Sequence, residues 1–360
     1  MKAPVSAAPP RGPWLVGPVF DLVFLANAAW PLFVLLTIVT VRHAPEGGFS
    51  THPGLSFWQI YFLTTPHRWI TLGLVFLDGE RFWQRPRAFV GVALTFLLLI
   101  AAVWFSTQTL ALFLLVDYVW NAWHYASQHS GISRIYGRAA RPDVQTSGLF
   151  EKIVLRVFVL YAIFRLPLWA VPSFNRTAED VGAWPAWIQA IVVAFYEGVE
   201  GLAHTAQNLD LLLLALPAVL LFNELRDVRR STLGRLTYLA SVCLLYSSLL
   251  MGVHLQIDNR ILLGIFLAVS MFHATEYLAI VSWSVWKKHG RTPGTLFGHL
   301  VPRWGMAILT FMAVLAVTAW AMDRNYFRVW LVVTIFVSYL HYAYDGMIWK
   351  VRRPASAAVA

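Results

Sequence analysis

Charged residues and cysteine are both scarce in this sequence. Lys, Arg, Asp and Glu make up 13% of the 360 residues, whereas 58% are hydrophobic. A soluble domain carries roughly a quarter charged residues, so the composition excludes an ordinary soluble enzyme. The single cysteine, Cys243, excludes an intramolecular disulfide and a metal cluster held by thiolates. No apolar segment precedes residue 19, so we expect no cleavable signal peptide and expect the first span to direct insertion.

Long apolar segments recur from residue 19 to residue 350. A stretch of about 20 apolar residues crosses the hydrocarbon core of a bilayer as a helix. The sequence therefore predicts an all-α, polytopic transmembrane bundle of about ten spans, forming a single domain over 19–350. The predicted spans are 19–41, 55–77, 88–106, 109–128, 150–171, 208–224, 233–255, 261–285, 304–322 and 328–349.

The distribution of positive charge predicts the orientation. The net charge of +10 comes from short basic clusters between apolar segments, which is typical of membrane proteins and argues against nucleic-acid binding. The tails and the loops after the even-numbered spans hold 21 of the 28 Lys and Arg residues. This bias places the N-tail 1–18 and the C-tail 351–360 in the cytoplasm, and we expect the chain in the bacterial inner (cytoplasmic) membrane.

The longest loop on the opposite side covers 173–207. Its aromatic and apolar residues around Trp187 and Ile191 predict a helix lying on the outer leaflet. Glu197, Glu200 and His204 follow at helical spacing, and we interpret them as a solvated edge rather than as metal ligands.

Ionisable residues inside predicted spans are costly, so they are the candidate functional residues. They concentrate in spans two, four, eight and ten. The candidates are His67, Arg68, Asp117, Asn121, His124, Gln128, His129, His273, Glu276, His341 and Asp345.

Four of these histidines are predicted to share one depth in the membrane. The even-numbered spans all run from outside to inside, and His67, His124, His273 and His341 each follow roughly 12 to 16 residues after the start of a span, within about 6 Å of depth at 1.5 Å per residue. Each histidine also has a polar neighbour three or four residues away on the same helix face. His129 lies five residues after His124, about 140° around the helix, so the two share a metal only if the helix distorts near Ser127.

This set of side chains predicts a metal site. Imidazole and carboxylate ligands without thiolates suit iron, manganese or zinc. We predict iron, with two ions, held by His67, Asp117, His124, His129, His273, Glu276, His341 and Asp345. Arg68, Asn121 and Gln128 are the predicted catalytic residues. A metal-free proton relay and a haem clamped by paired histidines are the alternatives.

The histidine segments TPHRW, WHYASQHSG and HYAYDG resemble those of integral-membrane non-haem iron enzymes. The H-x4-H of His124 and His129 is similar to the first histidine box of membrane desaturases and hydroxylases, whose later H-x-x-H-H boxes are absent here. Pro66-His67 and Trp123-His124-Tyr125 resemble segments of the carotene-cleaving dioxygenases that accompany microbial rhodopsins. The resemblance implies O2 chemistry on a lipophilic molecule.

Together these observations predict a membrane-embedded, non-haem di-iron oxidoreductase. Its substrate is expected to be a fatty acyl chain, an isoprenoid or a carotenoid that enters from the membrane lipids, and O2 is its second substrate. A redox partner protein is compatible with this reading. Two alternatives use the same residues: a proton-coupled transporter with a His/Asp/Glu relay, and a membrane acyltransferase with an Asn121–His124 pair.

Overall fold

A computed structural model of the chain describes residues 13–42, 57–140, 148–166, 185–226, 233–289 and 295–349. The described residues form helices joined by short connections, with no β-strand among them, so the predicted all-α class is confirmed. Most of the N-tail, the C-tail and residues 173–184 of the predicted outer loop lie outside the described residues. In chain order the α-helices are α1 (Pro18–Phe20), α2 (Trp30–Arg42), α3 (Thr65–Phe76), α4 (Gly79–Gln84), α5 (Pro86–Thr107), α6 (Ala111–Ala140), α7 (Leu149–Phe164), α8 (Ala186–Ala206), α9 (Asp210–Leu213), α10 (Ala215–Arg226), α11 (Leu233–His254), α12 (Asn259–His289), α13 (Leu296–Leu300), α14 (Trp304–Asn325) and α15 (Phe327–Ile348).

Short segments of other helical types adjoin several of these helices. They are the π-helices Asp21–Leu25 and Phe57–Thr64 and the 3-10 helices Gln207–Leu209 and Val301–Arg303. Pro66 occupies the first turn of α3, which follows directly on the π-helix Phe57–Thr64. The helix α3 begins at Thr65, two residues before His67, so His67 lies in its first turn.

Six described segments are long and apolar enough to cross a membrane. They are Pro86–Thr107, Gln207–Arg226, Leu233–His254, Asn259–Lys288, Leu296–Asn325 and Phe327–Ile348. A seventh is counted if Pro18–Leu25 and Trp30–Thr40, bent by 42° at their junction, form one span. Length and composition thus mark this chain as a membrane protein.

The surface of α5 agrees with a lipid environment. Phe89 and Ile100 are buried, whereas most of the helix is not, and Leu98 and Phe105 are 67% and 78% exposed. A soluble monomer rarely exposes such a continuous apolar surface to water. Contact with lipid chains instead of water removes the free-energy cost of exposing this apolar surface.

The chain divides into two compact units. Unit 1 consists of Met1–Arg42, Tyr125–Leu166 and Ala203–Ala279, and unit 2 consists of His43–His124, Pro167–Leu202 and Ile280–Ala360.

In unit 1, α7, α10 and α11 pack against one another. The buried face of α11 carries Tyr238, Val242, Leu245 and Leu249, which recur at the three- and four-residue spacing of one helix face. The carboxylate of Asp21 fixes the backbone of residues 15–17, because it accepts the N–H of Leu15 at 2.7 Å and those of Val16 and Gly17 at 3.1 and 3.3 Å. The helices α2 and α12 also approach closely in this unit. A methyl group on Gly264 would lie 3.3 Å from the carbonyl oxygen of Val34, so a larger residue would push the helices apart.

In unit 2, α15 packs against α3, α5 and α14, and the π-helix Phe57–Thr64 packs against α14. Two apolar clusters hold α15 in place. One contains Val75, Phe89, Leu340 and Tyr344, and the other contains Ile100, Leu110, Ile335 and Tyr339. The tyrosine hydroxyls at this interface are satisfied, since that of Tyr344 donates to the carbonyl of Phe89 at 2.9 Å and that of Tyr339 to the carbonyl of Phe113 at 2.9 Å. This packing fixes the face of α15 that carries the candidate ligands.

Candidate metal centre

Three of the predicted ligands meet in unit 2. The Nε2 atoms of His124 and His341 lie 3.0 Å apart, and Asp345 Oδ2 lies 3.8 Å from His124 Nε2. One ligand atom from each of the three side chains falls within 4.8 Å of the others. The helix spacing explains part of this arrangement, because His341 and Asp345 are one turn apart on α15.

The three side chains are withdrawn from the surface but not to the same degree. His341 is fully buried, whereas His124 and Asp345 each keep 8% of their surface exposed. His124 and Asp345 therefore keep slightly more exposure than His341. Trp123, the residue before His124, is 49% exposed on the outer surface of α6.

The hydroxyl of Thr71 contacts the ring nitrogen of His341 that does not face His124. Thr71 Oγ1 on α3 lies 2.7 Å from His341 Nδ1 and 3.5 Å from Asp345 Oδ1. If Nδ1 carries the ring proton and donates it to Thr71, the lone pair of Nε2 points towards His124. Metal-bound histidines are held in the same way by a hydrogen bond to their second nitrogen.

His67 stands beside this group. Its ring meets the ring of His341 edge-on, with 5.0 Å between centroids, and the rings of His124 and His341 are 4.6 Å apart. A ring nitrogen of His67 lies within 4.8 Å of one on His341. Unit 2 thus brings together three of the four histidines that were predicted to share one depth.

The remaining candidates of unit 2 surround these histidines at greater distance. Arg68 Nη1 donates to Ser338 Oγ at 2.7 Å, which fixes a cation one residue from His67. Asp117 is half-buried and accepts the hydroxyl of Tyr342 at 3.1 Å. Asn121 is half-buried on α6, and among the described residues no hydrogen bond joins it to His124.

Unit 1 contains a second set of predicted ligands, His129 and Glu276, both fully buried. His129 Nδ1 lies 3.0 Å from Glu276 Oε1 and 3.1 Å from the hydroxyl of Tyr238, and His129 Nε2 lies 3.1 Å from the hydroxyl of Tyr246. The Tyr238 hydroxyl also donates to Glu276 Oε2 at 3.0 Å. Both nitrogens of the His129 ring are therefore engaged by side chains of this unit.

Two further candidates complete this network. Gln128 donates through Nε2 to Glu276 Oε1 at 2.7 Å and to the carbonyl of His273 at 3.0 Å. The ring of His273 is buried and stacks on Tyr125, with 3.9 Å between centroids. The helix α6 runs without a break through Ser127, so the distortion that would let His124 and His129 share one ion is not present.

Sequence reasoning did not find a buried ionic cluster in unit 1. Arg165 donates two hydrogen bonds of 2.8 Å to Asp210, and Asp210 also accepts the hydroxyl of Tyr161 at 2.6 Å. His254 Nδ1 lies 3.0 Å from the same carboxylate. In the sequence, this cluster was indicated by one acidic residue, Asp210, at the start of an apolar run.

The predicted edge after the outer helix is described only in part. Glu197 is exposed on α8, whereas the side chains of Glu200 and His204 lie outside the described residues.

Comparison of the chain with protein-family models, curated proteins and solved structures finds no match.

Proposed function

We propose that this chain is a membrane-embedded, non-haem iron oxygenase with one iron ion bound by His124, His341 and Asp345. The observation that carries the proposal is the meeting of two imidazoles and one carboxylate within 4.8 Å, all buried. Two histidines and one carboxylate on one face of the metal, with the other positions open, are typical of iron(II) oxygenases.

The spacing of the donors fits an ion of this kind. Two ligands bound at about 2.1 Å and at right angles are about 3.0 Å apart. This is the separation of the Nε2 atoms of His124 and His341. Asp345 Oδ2, at 3.8 Å from His124 Nε2, reaches the same ion by a small rotation of its carboxylate.

The protein supplies charge balance, orientation and access. The carboxylate of Asp345 offsets part of the charge of a divalent cation, and Thr71 orients the ring of His341. Iron bound here would supply open coordination positions for O2. A fatty acyl, isoprenoid or carotenoid substrate would arrive through the lipid phase, where Trp123, next to His124 in the chain, is 49% exposed.

The proposal includes the ten-span, N-in/C-in topology. Seven of the ten spans are the six apolar segments and the bent pair Pro18–Leu25 and Trp30–Thr40 taken as one span. The remaining three are residues 57–76, α6 and α7. The first two are less apolar because they carry the candidate ligands and their polar neighbours. The sixteen residues of α7 span about 24 Å at 1.5 Å per residue, less than the roughly 30 Å of the hydrocarbon core.

The number of ions that we propose is set by the ligand side chains that meet in unit 2. The described part of unit 2 supports one ion on His124, His341 and Asp345, with His67 as the nearest additional ligand. A second ion, as the sequence predicts, would require donors beyond these three. The amount of iron per chain measures this directly.

A proton relay is the second candidate function. Thr71, His341 and His124 form a continuous row of close polar contacts at 2.7 and 3.0 Å, which is the geometry along which protons move. Arg68 adds a fixed cation next to His67, which suits an anionic cargo. A relay requires no iron, so the metal content separates the two functions.

Oxygen consumption tests the oxygenase directly. Membranes containing the chain are supplied with iron(II), a reductant and a panel of fatty acyl, isoprenoid and carotenoid substrates. We expect substrate-dependent O2 uptake that His341→Ala and Asp345→Asn abolish. His299→Ala is the matched control, since His299 is an exposed histidine of the same unit. Uptake that persists in both site variants would refute the assignment.

A further inference from the structure

Four cations gather where α6 ends and α7 begins, within unit 1. We call Arg134, Arg138, Lys152 and Arg156 the basic cluster. Arg134 and Arg138 are one turn apart on α6, and Lys152 and Arg156 are one turn apart on α7. Residues four apart lie on the same face of a helix, so each helix contributes one basic face.

Two contacts bring these faces together. Arg156 Nε donates to Ser130 Oγ at 3.1 Å, and Ser130 lies one turn before Arg134 on α6. A methyl group on Gly148, the residue before α7, would lie 4.0 Å from Cγ and Nε of Arg134. The side chain of Arg134 therefore lies against the start of α7, close to Lys152.

Within the described residues, three cations of this cluster, Arg134, Arg138 and Lys152, are not balanced by carboxylates. The charge of Arg134 repels those of Arg138, Lys152 and Arg156, and Arg156 also repels Lys152. The nearby carboxylates of Glu151 and Glu224 both pair with Arg235. No ion pair in the described part of the chain joins Arg134, Arg138 or Lys152 to a carboxylate. An anion bound here would remove the repulsion.

An apolar row runs beside the cluster on α7. Leu149, Phe150, Ile153 and Val157 are between 46% and 57% exposed. A ligand that covers both surfaces has an anionic head and hydrocarbon chains. Basic pockets between membrane helices bind the headgroups of anionic lipids in this way.

We propose that the basic cluster binds the phosphate of an anionic phospholipid, whose acyl chains lie along Leu149, Phe150, Ile153 and Val157. Arg134 and Arg138 are exposed and Lys152 and Arg156 are half-buried, so the phosphate is reached from the membrane surface. This site is independent of the metal centre, because it uses none of the predicted ligands.

Lipid binding to the purified full-length chain tests the proposal. Native mass spectrometry compares phosphatidylglycerol with phosphatidylcholine for the wild type and for the double variant Arg134→Gln/Lys152→Gln. A basic residue near an anionic lipid strengthens binding about fivefold, so we expect the double variant to weaken phosphatidylglycerol binding roughly 10- to 30-fold. Phosphatidylcholine binding should not change.

The controls separate charge from folding and lipid from free phosphate. Arg260→Gln removes one exposed cation elsewhere in unit 1 and should leave the preference unchanged, and Arg134→Lys should preserve it. If the double variant does not fold, Arg138→Gln, at an exposed position, takes its place with an expected loss of about fivefold. Equal losses in the cluster variants and Arg260→Gln would overturn the proposal. Displacement of the lipid by millimolar inorganic phosphate would also overturn it.

Discussion

The Nε2 atoms of His124 and His341 lie 3.0 Å apart, although 217 positions separate these residues in the chain. Two neutral imidazoles at this distance require either a proton or a cation between them. Asp345, beside both rings, supplies the negative charge that a cation needs.

Thr71→Val should weaken iron binding without unfolding the protein. The hydroxyl that lies 2.7 Å from His341 Nδ1 is lost, whereas the size of the side chain is kept. Loss of such an orienting partner typically costs 10- to 100-fold in metal affinity or activity. Anaerobic titration with iron(II) measures the effect. Thr71→Ser retains the hydroxyl and should bind as the wild type does, and equal affinity of the valine variant would show that Thr71 orients nothing.

Asp345→Asn distinguishes a ligand from an orienting group. The amide preserves size and hydrogen bonding but removes the charge that balances the cation, so we expect most of the iron to be lost. Elemental analysis of the purified variant gives the answer. If Asp345→Asn retains full metal and His341→Ala loses it, Asp345 orients the histidine and does not bind the ion.

Asp210→Asn should destabilise unit 1. Asp210 is fully buried and accepts two hydrogen bonds from Arg165, so the variant leaves a buried guanidinium without its counter-charge. Breaking a buried ion pair costs about 3–5 kcal/mol, which should appear as a clear fall in the thermal unfolding temperature in detergent. Asp258→Asn is the control, since Asp258 is exposed and caps α12, a position where asparagine caps as well as aspartate. Equal unfolding temperatures for the two variants would contradict a stabilising role for the cluster.

Reporter fusions test the orientation. Fusions after Arg87, Arg141, Arg230 and Arg291 should report the cytoplasm, and a fusion near Thr177 should report the opposite side, because Lys and Arg accumulate in cytoplasmic loops. A cytoplasmic signal at Thr177 would reverse the direction of the helices that carry the histidines.

The all-α class could be predicted from the sequence, and the candidate residues chosen from it include His67, His124 and His341, whose rings lie close together in unit 2. Apolar length defines a membrane helix, and polar residues inside such a helix are too costly to be distributed at random. Their depth follows from counting residues along each span. These two properties depend on the chain alone, without knowledge of which helices are neighbours.

Partners on neighbouring helices could not be predicted in the same way. Thr71 lies one turn after His67 on α3, but its contact with His341 depends on the packing of α3 against α15. Tyr238 and Tyr246, eight residues apart on α11, engage His129 from one helix face. Tyrosines within an apolar run are otherwise typical of packing or of the membrane interface, so their pattern did not indicate this role.

The iron content of the purified chain tests the central claim most directly. The protein is isolated in detergent without chelator, reconstituted anaerobically with iron(II), freed of unbound metal and measured by elemental analysis. We expect about one iron per chain in the wild type and in His299→Ala, and most of the iron lost in His124→Ala and His341→Ala, because one facial set of ligands holds one ion. Wild-type protein that holds less than about a tenth of an equivalent, or histidine variants that keep full iron, would contradict a metal centre at His124, His341 and Asp345.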